Sequence, residues 1–298
     1  MTQAFLSNGV SLACEVHGDP ADPAVFVILG ITDNITDWPP GLYEPLVEAG
    51  YCVVRHELRD SGHSTKFEGA GRPDLAGAQA ALARGSLPAA AYTVHDVAED
   101  ARLLLEHLDI RAACVVGYSF GALVAQLLAL KAPDMVAGLI CLQGSNYNPA
   151  LPARLPGVER AMLEATLDYS TREEQVRAIM NLRIATNGSR HALDSVEARR
   201  SAETSVARMY CPQGTARLIL SRLATEPCFE RTGSISCPTL ILHADEDPIF
   251  SLEHGADMAE RIPHAGLVVL EGAGHNHPLS LQPIIARHID EFIRNTVD

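Results

Sequence analysis

A serine hydroxyl is a poor nucleophile at neutral pH and becomes a good one only beside a general base that an acid holds in place. One serine in this chain has surroundings suited to that task. Ser119 is the centre of Gly117-Tyr118-Ser119-Phe120-Gly121. Before it, residues 112–116 form a short apolar run of the kind a buried parallel strand needs. After it, residues 122–130 are rich in Ala and Leu and read as a helix. Passing from strand to helix in so few residues presses the backbone against itself, and glycines on both sides leave room. The apical residue is then forced into a strained conformation with its side chain outward, facing the free N–H groups of the following helix. The chemistry open to such a serine is attack on a carbonyl carbon with transfer of the acyl group.

The base and its acid must come from loops at the same sheet edge. His275 lies in Glu271-Gly272-Ala273-Gly274-His275-Asn276-His277, after the apolar run 267–270. Among the 12 histidines it stands out because Gly272 and Gly274 let a post-strand loop bend toward the serine. His277, two residues on, is its rival. Asp247 lies in Ala244-Asp245-Glu246-Asp247-Pro248-Ile249, after the run 239–243. Asp245 and Glu246 compete with it; Asp247 is preferred because it precedes Pro248 and lies deepest in the loop. Two backbone N–H groups are needed for the developing oxyanion. Phe120, next to the nucleophile, supplies one, and Ile31, after the run 24–29, the other, with Gly30 permitting the approach. Each such donor contributes about 3 kcal/mol to the transition state. This chemistry requires neither a cofactor nor a metal.

The elements that must position these residues alternate. Strand patterns occur at 10–17, where a rough apolar and polar alternation suggests an antiparallel edge strand, and at 24–29, 51–55, 112–116, 136–142, 239–243 and 267–270. Helical patterns occupy 41–49, the stretch from Thr93, as N-cap with Asp96 three residues on, to Leu108, then 122–130 and 281–294. Such alternation predicts an α/β protein, a mostly parallel sheet with helices on both faces, whose ligands bind beyond the carboxyl ends of the strands. Residues 66–91, mostly Gly, Ala, Pro and Arg, read as an insertion with one short helix over 76–84. From 145 to 232 there is no continuous apolar strand and charged helical segments dominate. The expected organisation is a core of residues 1–144 and 233–298 with 145–232 as a helical cap over the sheet edge. Met162, Met180 and Met209 of that cap read as helix core, with pocket lining the alternative.

Composition narrows the partners. Lys and Arg number 23 against 37 Asp and Glu, a net charge of −14, which argues against nucleic acid or an anionic membrane. A small-molecule substrate is the expected partner; oligomeric state has no signal. Seven cysteines without a C-x-x-C spacing fit a reducing, cytoplasmic setting with free thiols. The N-terminal residues lack a basic stretch followed by an apolar core, and no apolar run approaches the roughly 18 residues of a membrane span.

With these residues in place, the chain resembles the α/β-hydrolase superfamily and, more narrowly, the aclacinomycin methylesterase group of polyketide-tailoring esterases. The likeness rests on the serine pentapeptide, on the chain order Ser119, Asp247, His275, and on four further stretches: His17-Gly18-Asp19-Pro20-Ala21-Asp22-Pro23, Asp37-Trp38-Pro39, Arg59-Asp60-Ser61-Gly62-His63-Ser64 and Ala244 to Ile249. It implies that Ser119, Asp247 and His275 are the triad, that Ile31 and Phe120 supply the oxyanion amides, and that a carboxylic ester of a moderately large apolar molecule is cleaved. Two departures stand out. Ile31 and the polar Thr32-Asp33-Asn34 follow Gly30 where relatives have a second small residue, and Phe120 replaces a common Met. The polar loop motivates alternatives on the same fold: lactone or C–C bond hydrolysis, cofactor-free decarboxylation or cyclisation, or perhaloperoxidation. A ligand-binding member without catalysis is a third reading, which the intact Ser/Asp/His order disfavours. Epoxide and haloalkane hydrolysis are disfavoured because those relatives place Asp where Ser119 stands.

Overall fold

Apolar runs of five to seven residues have no polar face to turn to water, so they stack in the middle of a sheet with helices on either side. In the computed structural model, which describes residues 2–296, that is where they lie. The strands are Thr2–Phe5 (β1), Ser11–His17 (β2), Ala24–Ile28 (β3), Cys52–His56 (β4), Ala113–Tyr118 (β5), Val136–Leu142 (β6), Thr239–Ala244 (β7) and Gly266–Leu270 (β8). They form one eight-stranded sheet in the order β1-β2-β4-β3-β5-β6-β7-β8. From β4 through β3 to β8 every neighbour is parallel, whereas β1 and β2 are antiparallel additions at one edge.

The helices are Pro40–Glu48 (α1), Leu75–Ala83 (α2), Val94–His107 (α3), Phe120–Lys131 (α4), Pro156–Glu164 (α5), Arg172–Ala185 (α6), Ser195–Arg208 (α7), Pro212–Leu223 (α8), Leu252–Arg261 (α9) and Gln282–Thr296 (α10). One face of the sheet packs against Leu42 and Leu46 of α1 and Ile285 and Ile289 of α10. The other packs against Val97 and Leu104 of α3, Leu123 and Leu128 of α4 and Met258 of α9. Each such fully buried aliphatic side chain contributes roughly 1.5–3 kcal/mol. The capping box expected at the start of α3 is formed, with the Asp96 carboxylate accepting from the Thr93 amide at 2.7 Å and from its hydroxyl at 2.8 Å.

Several details differ from expectation. The strand pattern at 10–17 is not an edge, because β1 lies outside it. In β1 only Ala4 is buried, so four residues with a single apolar contact left no periodic signal. The helix α9 is likewise absent from the expected elements: its buried residues are His254, Gly255 and Met258, of which only Met258 is a large apolar side chain. Between β6 and β7 the chain carries α5 to α8 and no named strand, with small apolar clusters of its own around Met162 and Leu182 and around Val176 and Val206. All seven cysteines are free thiols. Among the described residues no helix is long and apolar enough to cross a membrane.

A buried ion pair ties α8 to the turn after β4. Asp60 sits at φ 64 with its carboxylate fully engaged. It accepts from Arg217 Nη2 at 2.7 Å and Nε at 2.9 Å, from the Tyr92 hydroxyl at 2.7 Å and from the Phe67 amide at 2.9 Å. Removing one member of such a pair leaves an uncompensated buried charge, at a cost of about 3–5 kcal/mol. Asp60→Ala is therefore expected to lower unfolding free energy by that amount in urea titrations. The double variant Asp60→Ala/Arg217→Met is expected to recover a substantial part of it.

Candidate active site

The strand-to-helix turn is tighter than the sequence pattern required. β5 runs to Tyr118 and α4 begins at Phe120, so Ser119 alone makes the change of direction. It does so at φ 55, ψ −118, a region that costs a non-glycine residue about 1–3 kcal/mol. Both flanking glycines are required by close approach. A Cβ on Gly117 would lie 2.4 Å from the Gly121 carbonyl oxygen, and one on Gly121 would lie 2.1 Å from that of Ile28. The Ser119 amide donates to the Leu142 carbonyl at 2.9 Å, which fixes the turn to the end of β6.

Ser119, His275 and Asp247 converge at the carboxyl edge of the sheet. His275 Nε2 is 2.8 Å from Ser119 Oγ, and Nδ1 is 2.6 Å from Asp247 Oδ2. The other Asp247 oxygen accepts the amides of Ile249 at 2.8 Å and Phe250 at 3.0 Å. With both oxygens engaged, the carboxylate orients the imidazole with Nδ1–H toward itself and leaves Nε2 free to accept from the serine. All three side chains are buried.

The rivals are occupied elsewhere. Asp245 accepts the Gly272 amide at 2.7 Å, and Glu246 accepts from the amide and hydroxyl of Ser189. His277 Nε2 lies 3.1 Å from Gln143 Oε1, with its ring packed against Tyr118 and edge-on to Trp38. Burial drives its pKa down to about 3, so it is neutral at pH 7.

The histidine loop is held by a segment the sequence reading did not single out. The His275 amide donates to the Thr186 carbonyl at 2.8 Å, and Thr186 Oγ1 donates to Asn276 Oδ1 at 3.0 Å. Gly272 adopts φ 67, so one glycine supplies bend as expected. Gly274 serves a different purpose: a Cβ there would meet the Thr186 carbonyl oxygen at 2.3 Å. The turn signal Asn187-Gly188 marked this approach in the sequence. The same region also grips the loop after β3. Asn34 Nδ2 donates to the Ser205 carbonyl at 3.0 Å and Arg183 pairs with Asp37; in the turn after β4, Arg208 Nε donates to Glu57 at 2.8 Å.

Ser119 opens into a cavity of about 540 Å³. Ile31 and Phe120 line it, at the end of β3 and the first turn of α4. Met162 lines it too, whereas Met180 and Met209 are not among the lining residues. Asp33 is the unexpected member of the wall. Its Oδ2 accepts the Gly30 amide at 3.0 Å. Burial, reinforced by the charge of Asp37, pushes its pKa up to about 7 against the opposing pull of Arg183 and His275. Among the described residues no group of three or more His, Cys, Asp or Glu is placed to hold a metal ion.

Residues 23–279 match the model of the alpha/beta hydrolase fold family. The chain belongs to that family. It is 28% identical to rhodomycin D methylesterase DauP of Streptomyces sp. (strain C5) and 29% identical to rhodomycin D methylesterase DnrP of Streptomyces peucetius, covering 97% of this chain and 96% of each relative. Among solved structures, it matches a thermophilic esterase from Thermogutta terrifontis with a TM-score of 0.73 at 24% identity, over 100% of this chain and 99% of that one. This likeness extends the fold to the full length. The chain is thus an α/β hydrolase that resembles the methylesterases over nearly its whole length.

The raised pKa of Asp33 has a consequence for stability. A carboxyl whose folded pKa lies above its unfolded value favours folding when protonated, so ionisation as pH rises through about 7 destabilises the protein. Asp33→Asn, which keeps an acceptor for Gly30, is expected to raise the melting temperature by several degrees at pH 8. That advantage should shrink as pH falls from 7 toward 4.

Proposed function

We propose that the protein hydrolyses a carboxylic ester of a small or medium-sized, largely apolar molecule through an acyl-enzyme on Ser119. The observation that carries this reading is the hydrogen-bonded line from Asp247 through His275 to Ser119, opening into a 540 Å³ cavity. Ser119 Oγ attacks the ester carbonyl while His275 Nε2 takes its proton. The amides of Ile31 and Phe120 stabilise the tetrahedral oxyanion. Collapse expels the alkoxide, which receives the proton from His275. Water, deprotonated by the same nitrogen, then attacks the acyl carbon and releases the acid. Asp247 keeps the imidazole in the required tautomer and stabilises its cationic form. In this reading residues 145–232 are the cap that shapes the pocket. The resemblance to the two rhodomycin D methylesterases favours a polyketide methyl ester as substrate.

Asp33 favours one second reading. A carboxyl that titrates near pH 7 on the cavity wall could exchange a proton with a carbanion, as C–C bond hydrolysis or decarboxylation requires. Turnover of such a substrate with no ester cleavage would select it.

Ser119→Ala is expected to lower kcat/KM on p-nitrophenyl esters by roughly 10⁴-fold or more, and Asp247→Asn by roughly 10³–10⁴-fold. Retention of full activity in Ser119→Ala would exclude the acyl-enzyme.

A further inference from the structure

Six arginines line the cavity, and their partners divide them. Arg55 pairs with Glu15, Arg183 with Asp37 and Arg208 with Glu57. Arg154, Arg200 and Arg222 pair with no carboxylate among the described residues. For Arg154 and Arg200 this is ordinary, because both are exposed and water solvates them. Arg222 is different: its Nε is buried and has no hydrogen-bond acceptor. A half-buried guanidinium with a buried, unpaired Nε and no counter-ion is costly, and natural proteins rarely leave one without a reason.

Its surroundings support the cation but supply no carboxylate and no acceptor for Nε. The guanidinium carbon lies 3.6 Å from the centroid of the Tyr147 ring, and the residue sits in the last turn of α8, where the helix end favours positive charge. The Tyr147 side chain also takes a hydrogen bond from the guanidinium, but the buried Nε–H is left without an acceptor. Tyr147 itself is held at φ 59 shortly after β6. Its ring meets Phe250 edge-on at 5.5 Å, and Phe250 lies 5.9 Å from the His275 ring. Two aromatic rings thus separate the Ser119 hydroxyl from a guanidinium without a counter-ion on the same cavity. Arg154, at the exposed side, reaches the Met162 sulfur at 3.0 Å, and Met162 also lines the cavity. Lining acids do not balance this wall. Asp33 is near its titration point at neutral pH, and Glu197 accepts the Leu279 amide at 2.8 Å. Burial above all pulls the Arg222 pKa down, against the opposing pull of Tyr147 and with a smaller push from Arg154, so an anion bound there would favour the charged form.

We propose that Arg222, with Arg154 beside it, forms a carboxylate-recognition subsite, so that the preferred substrate carries a free carboxylate in addition to the bond Ser119 attacks. A carboxylate matches the planar fork of the guanidinium and would occupy the donors that the protein leaves open. This rests on the ester-hydrolase reading for its catalytic assay but not for its binding assay.

The test compares chain-matched esters: the mono-p-nitrophenyl esters of succinic, glutaric and adipic acid against p-nitrophenyl butyrate, valerate and hexanoate. At least one acidic ester should show a kcat/KM at least tenfold above its neutral match, with the difference in KM. Arg222→Met should reduce that ratio at least tenfold, and Arg222→Lys should retain part of it. A ratio near one throughout the series, or one that survives Arg222→Met, overturns the subsite. If no ester turns over, the hydrolase reading fails first and melting curves decide the subsite. Adipate at millimolar concentration should then raise the melting temperature of Ser119→Ala but not of Ser119→Ala/Arg222→Met, and no shift in either overturns it.

Discussion

Everything at this site depends on the placement of one imidazole. His275 must lie within hydrogen-bond reach of a serine 156 residues away and a carboxylate 28 residues away, and both distances must hold together. The sheet supplies the frame: β5, β6, β7 and β8 are parallel neighbours, so the loops after β5, β7 and β8 emerge at one edge. The frame alone leaves the histidine loop free to move. What fixes it is the turn after α6, through the Thr186 carbonyl and Asn276, at an approach so close that neither Gly188 nor Gly274 has room for a side chain. The polypeptide between β6 and β7 therefore does more than line the cavity; it sets the position of the His275 imidazole.

Strain and charge are concentrated at the same edge. Ser119 holds a positive φ, and so do Gln143 and Tyr147 just after β6. Such conformations persist only where the surroundings over-determine them. Here the Leu142 carbonyl takes the Ser119 amide, and the Gln143 side chain reaches both the Gly274 carbonyl and His277. The charges follow the same pattern. Arg183 with Asp37 and Asn34 with Ser205 lock the loop after β3 to α6 and α7, while Arg208 holds Glu57 after β4, whose carboxylate accepts the Ile35 amide; together they keep Ile31 and Asp33 on the cavity wall with Ser119. Among the less exposed cavity groups, Asp33 and Arg222 are left with charge that the protein matches incompletely.

Much of this was legible in the chain. Runs such as Ala24–Ile28 and Val136–Leu142 are buried along almost their whole length, so continuous apolarity announced them. The serine pentapeptide carried its own steric requirement, and the Asp and His loops followed recognisable strands. The hidden parts have a common physical cause. β1 contributes one buried side chain, and α9 buries His254 through hydrogen bonds to Ser145 and the Pro152 carbonyl rather than through an apolar stripe. The clamp at Thr186, the pairing of Arg217 with Asp60 and the lone guanidinium of Arg222 depend on which distant residues meet. No local period encodes such meetings. Gly274 shows the limit most clearly: a glycine was expected there for flexibility, and the contact it permits is the actual need.

The central claim, that this geometry makes the Ser119 oxygen nucleophilic, is tested most directly by peptide mapping after treatment with a fluorophosphonate. The account predicts one adduct, on the peptide containing Ser119, and its loss or strong slowing in His275→Asn. Ester turnover that persists while Ser119 stays unmodified, or an adduct that forms equally fast without His275, would contradict it.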